Sequence, residues 1–120
     1  MLKLEYRFAL YVPSKDKDGV PIARHDACEK VVRYFSDNLG GATVIDGRGA
    51  YVMESGELVT EPISIVYGYG VNHRFAHQLI QFAGMMRQDW NQETVAIEIP
   101  DGLLLVDENE KVVIHNGHSV

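Results

Sequence analysis

Apolar and polar residues alternate over 2–12 (LKLEYRFALYV), a stretch rich in Tyr and Leu, which predicts a first strand. Residues 13–21 (PSKDKDGVP) are charged and carry turn formers, so they read as a loop. From 24 to 38 the apolar residues Cys28, Val31, Val32, Phe35 and Leu39 recur at helical spacing, and Gly40-Gly41 stops the helix. A strand over 42–53, bent at Gly47 and Gly49, pairs as a hairpin with a strand over 58–69 across Glu54-Ser55-Gly56. Asn72 then caps a second helix running to Trp90, with Phe75, Leu79, Phe82, Ala83, Met86 and Trp90 on its buried face. Residues 93–99 alternate as a strand. After the turn Pro100-Asp101-Gly102, 103–106 and 111–115 form a terminal hairpin around 107–110.

The order is β-α-β-β-α-β plus a hairpin. That is a ferredoxin-like α+β fold, one antiparallel sheet with both helices on one face. Phe8, Leu10, Ile63, Ile65 and Tyr67 supply more apolar surface than two helices cover. The excess predicts a homo-oligomer that buries the open sheet face, preferably a PII-like trimer with ligand clefts between subunits.

A chain of 120 residues is long enough for a single domain, placed at 1–115 with a flexible tail over 116–120. Its net charge of -6 repels phosphate backbones and favours small cations, so no nucleic-acid partner is expected. Cys28, the single cysteine, excludes an internal disulfide and reads as a buried, inert thiol. The N-terminal pattern is too short for a signal peptide, and no apolar run approaches a membrane span. A cytoplasmic protein with no membrane partner is expected.

Tyr51 and Glu61 are the leading candidates for chemistry. They fall on adjacent strands about one pair from being opposite, a phenol and a carboxylate aimed at a cleft. The alternative is a surface acid and an amphipathic Tyr at a sheet edge, since exposed cross-strand polar pairs are common. Gly47 and Gly49 favour function, because glycine within a strand marks a bulge or a ligand's close approach.

Glu98 interrupts the alternation VAIEI, sharing a face with Ala96. It is a solvent-facing acid unless a neighbouring subunit covers that face. His73 and His77 are spaced i, i+4, but no third ligand has convincing spacing, so no metal is expected. Gly68-Tyr69-Gly70 could admit a phosphate or ring, though it lacks the lysine and helix of a P-loop. No Ser-His-Asp order or activated Cys appears.

Two patches of the chain resemble the phage S-adenosylmethionine-degrading enzymes, once called hydrolases and now regarded as lyases. One is Gly49-Ala50-Tyr51 followed by Glu61 at a strand start. The other is LIQFAGMMRQDWNQETVAIEI, where Trp90-Asn91-Gln92-Glu93 leads into the last core strand. The resemblance implies a compact α/β sheet, trimers with substrate between subunits, and cleavage of S-adenosylmethionine to methylthioadenosine and homoserine lactone without metal or cofactor. It places the catalytic Tyr and Glu on Tyr51 and Glu61, and a second interfacial acid on Glu98. In phages the activity deprives host restriction-modification systems of their methyl donor. Gly49, Gly68 and Tyr69, at the glycine-rich strand ends, are expected to help seat the adenine.

Three functions remain open on the residues alone: this lyase, a PII-like trimer binding a nucleotide-like ligand without turnover, and a ligand-free interaction protein.

Overall fold

The computed structural model describes residues 1–108 and 112–114. The elements run β1 (Tyr6–Val12), α1 (Arg24–Leu39), β2 (Thr43–Val52), β3 (Leu58–Gly70), α2 (Phe75–Asp89), β4 (Val95–Ile99), β5 (Gly102–Val106) and β6 (Val112–Ile114). One six-stranded sheet has the order β2-β3-β1-β4-β5-β6, with every neighbouring pair antiparallel. This is the predicted ferredoxin-like arrangement, extended at the β4 edge by the terminal hairpin.

Alternation along each strand sorts side chains onto two faces. Phe8, Leu10 and Val12 of β1, Val66 of β3, Ile97 of β4 and Leu104 of β5 join Val31, Phe35, Leu79 and Met86 of the helices in one core. Phe75 meets Phe8 and Phe35 edge-on, at 5.2 and 5.3 Å between ring centres. At the end of α1, Gly40 takes the left-handed conformation (φ 88°) and its N–H closes on the Ser36 carbonyl. The chain then passes so close to β3 that a Cβ on Gly68 would stand 2.9 Å from the Gly41 carbonyl oxygen. Gly68 is what lets the helix end lie on the sheet.

Several expectations are corrected. β1 starts at Tyr6, because Leu2 and Leu4 lie exposed outside the sheet. Phe8 and Leu10 belong to the core face, whereas the register puts Ile63, Ile65 and Tyr67 on the helix-free face. The glycines of β2 introduce no bulge: its pairing with β3 is unbroken from Thr43 to Val52. Asn72 does not cap α2; Arg74 is the N-cap residue, and the Asn72 side chain accepts the Arg74 N–H in a turn ahead of the helix. Trp90 lies just past α2, buried, with its N–H on the Met86 carbonyl. The expected tail at 116–120 lies outside the described residues.

The far half of the β2–β3 hairpin outruns both helices. Tyr51, Val52 and Leu58 are exposed there, and the molecule measures 50 × 32 × 24 Å. This arm has no covering layer of its own.

Candidate functional site

The register of the arm decides where the two leading candidates stand. Tyr51 lies opposite Val59, and Glu61 opposite Gly49. The two side chains therefore share the helix-free face as diagonal neighbours, about 7 Å apart at the Cβ atoms. Along that face β2 presents Thr43, Ile45, Gly47, Gly49 and Tyr51. Gly47 and Gly49 carry no side chain opposite Ile63 and Glu61: a Cβ on Gly47 would meet nothing within 4 Å, whereas the Ile63 side chain lies beside Gly49. Gly49 is open enough that a Cβ would meet Ile63 only at ordinary contact distance. Glu61 is half-buried and, among the described residues, stands outside the salt bridges, which join Arg7 to Glu98, Lys30 to Asp89 and Arg33 to Asp37.

A second polar group occupies the middle of the same face. Glu98 lies opposite Ala9 of β1. Arg7 Nε donates to Glu98 Oε2 at 3.1 Å, and the Tyr11 hydroxyl donates to Oε1 at 2.5 Å. The Arg7 guanidinium lies 4.3 Å over the Tyr67 ring and also donates to the Tyr69 hydroxyl at 3.4 Å. That hydroxyl, and then Glu98, hold the Arg7 pKa above its ordinary value despite partial burial. Beside this cluster, Arg7, Tyr11, Glu98, Pro100 and Leu103 line an open cleft of about 380 Å³.

Burial, then the hydrogen bond to Glu98, pushes the Tyr11 phenol up from 10.0 to about 12. The protonated phenol is thus favoured by folding. Its contribution to stability is complete below pH 10 and lost as pH rises from about 10 to about 12. Urea midpoints of wild type and Tyr11→Phe should accordingly differ at neutral pH and converge toward pH 12. A gap constant across that window would refute the assignment.

Within one chain the two groups do not meet. Ala9 links Glu98 to Tyr67 across the sheet, and the run of β3 from Tyr67 back to Glu61 covers about 20 Å at the usual strand rise. The candidates thus divide as follows. Tyr51, Glu61 and Gly49 are together on the arm. Glu98 and Tyr69 are together on the central face, joined through Arg7. Gly68, expected at the ligand, faces the helices and is explained by packing. Arg7 and Tyr11 escaped the sequence reading. The available signal was YRFALYV itself, whose alternation places both on the face away from the core.

The Trp90-Asn91-Gln92 segment has a structural role. Asn91, at φ 50°, donates through its amide to Asp16 at 3.1 Å and Asp18 at 3.0 Å. Gln92 donates to the Lys15 carbonyl at 2.8 Å. Together they pin the β1–α1 loop. The Asp16 carboxyl is held below its usual range, chiefly by the Val20 N–H and then by Asn91. His73 precedes α2 and packs edge-on against Tyr6 at 4.5 Å, so it does not share a helix face with His77. Among the described residues no His, Cys, Asp and Glu cluster is arranged for a metal, and no helix is long and apolar enough to cross a membrane.

Two solved structures match this architecture. One is a phage SAM lyase in complex with S-methyl-5'-thioadenosine, at a TM-score of 0.61 and 18% identity over 100% of this chain and 94% of that one. The other is a phage SAM lyase in its apo state, at 0.57 and 20% identity over 89% of this chain and 94% of the other. The chain has the fold of the phage SAM lyases. No protein-family model matches it, and no curated protein does. The SAM-lyase match spans the chain from end to end, so the exposed arm and the terminal hairpin both fall within it.

Proposed function

We propose that this protein is a SAM lyase whose site is completed between copies of the chain. The carrying observation is the register that sets Tyr51 and Glu61 as diagonal neighbours on the helix-free face, beside Gly47 and Gly49, in a chain with the SAM-lyase fold. The solved relative that holds S-methyl-5'-thioadenosine supports a ligand of that class.

The chemistry needs little from the protein. The substrate's own carboxylate oxygen attacks its γ-carbon. A C–O bond forms, the C–S bond breaks, and its electron pair leaves with sulfur. A sulfonium thereby becomes the neutral thioether methylthioadenosine, and the remainder closes as L-homoserine lactone. No external base, metal or cofactor takes part. The enzyme's task is to curl the methionine portion into attack geometry in a site that excludes water. Glu61 balances the sulfonium or the α-ammonium. Tyr51 orients the carboxylate or ammonium by hydrogen bonding. Because a carboxylate beside a sulfonium also stabilises the ground state, Glu61 acts chiefly by positioning. The glycine-bearing stretch at Gly49 seats the adenine, with Tyr69 of a neighbouring copy at its border.

The distance between the arm and Glu98 supports a site completed by a second copy, and a homotrimer is the assembly we propose for it. An uncovered arm of one copy laid on the central face of the next would bring Tyr51 and Glu61 toward Glu98, and would bury apolar surface that a single chain leaves open. In a phage-encoded setting, the reaction would strip the host cytoplasm of the methyl donor used in restriction-modification.

Purified protein incubated with S-adenosylmethionine should release methylthioadenosine and homoserine lactone, resolved by chromatography, and should sediment as a trimer. Binding without product would instead support a PII-like sensor. A monomer that leaves the substrate intact would end both readings.

A further inference from the structure

We propose that Arg7 and Tyr11 are positioning residues for Glu98, fixing the direction in which its carboxylate meets substrate. This rests on the lyase reading above, but concerns two side chains that reading leaves unused.

Arg7 and Tyr11 flank Ala9, the cross-strand partner of Glu98, on a strand bonded on both sides, to β3 and to β4. Each carboxylate oxygen has its own donor: Arg7 Nε for Oε2, the Tyr11 hydroxyl for Oε1. A glutamate's terminal torsion is otherwise broad. Two donors mounted on a central strand remove that freedom. Arg7 is itself held, over the Tyr67 ring and against the Tyr69 hydroxyl. The support thus extends across three strands, and none of it belongs to the hydrophobic core.

The two donors do different work. Arg7 cancels the charge of Glu98, so this acid meets substrate as half of an ion pair and serves as a directional acceptor. Glu61, beside Tyr51 and outside the salt bridges among the described residues, is then the carboxylate that balances the sulfonium. Stability is a poor explanation for the arrangement. The side chains of the pair are 37% and 28% exposed, and ion pairs so open to water add little to folding.

A double-mutant cycle separates positioning from packing. The proteins are wild type, Tyr11→Phe, Arg7→Lys, Glu98→Gln and the two doubles with Glu98→Gln. The readouts are kcat and KM for methylthioadenosine release, Kd for a non-cleavable analogue with an amine in place of the sulfonium, and the thermal midpoint. Tyr11→Phe should lower kcat/KM and weaken analogue binding about tenfold, the size of one hydrogen bond to a charged group. The loss should fall mainly on KM, as it does when uniform binding is removed. Arg7→Lys keeps the charge but loses the planar guanidinium, and should act in the same direction. In the Glu98→Gln background both substitutions should cost less than about twofold, because the group they orient is gone. Full-sized losses in that background, in kcat/KM or in Kd, would overturn the proposal, and so would single variants indistinguishable from wild type. In either case the lyase reading stands. A wild-type protein that neither binds nor cleaves S-adenosylmethionine removes that reading, and this inference with it.

Discussion

Glu61→Gln should reduce methylthioadenosine formation about a hundredfold, the upper range for losing a hydrogen bond to a charged group. The substitution keeps size and shape. It removes the negative charge at the half-buried position opposite Gly49, on the face shared with Tyr51. Since the arm is exposed and Glu61 is no part of the core, the thermal midpoint should stay near that of wild type. The neutral amide would no longer anchor the substrate's cationic groups, the α-ammonium among them, in attack geometry. Product formation that survives Glu61→Gln at wild-type rate would strip the residue of its proposed part.

Gly68→Ala tests a different assignment. The added methyl would stand 2.9 Å from the Gly41 carbonyl oxygen and 3.1 Å from a Leu39 methyl. The neighbour at closest approach is backbone, which cannot swing aside. Overpacking of this kind costs about 2 kcal/mol, and in a chain of this size lowers the thermal midpoint by about 8 °C at fixed protein concentration. Activity per folded molecule should be nearly unchanged. A variant with a normal midpoint and a raised KM would return Gly68 to the ligand.

The fold was legible because its signals are periodic. The apolar residues of 24–38 and of 75–90 fall at helical spacing, and the strands alternate, so element order and the ferredoxin-like layering followed directly. That Tyr51 and Glu61 stand about one pair from being opposite was legible too, since a short turn at Glu54-Ser55-Gly56 leaves little choice of register. What stayed hidden depends on neighbours remote in sequence. Gly68 has the local look of a ligand loop, and only the return of the chain at Gly41 shows that it is a packing glycine. Asn72 has the composition of a helix cap, but the chain makes a further turn before α2 begins. Arg7 and Tyr11 gain their meaning from Glu98, most of the chain away. Alternation told which face they occupy, while the strand order that makes them neighbours of Glu98 is a property of the finished sheet.

The outrunning hairpin has a consequence for how the proposed activity would be switched on. If each polypeptide carries two incomplete halves, newly made copies are idle until they are numerous enough to find one another. Specific activity would then climb with enzyme concentration and collapse on dilution, with no regulator beyond the amount synthesised.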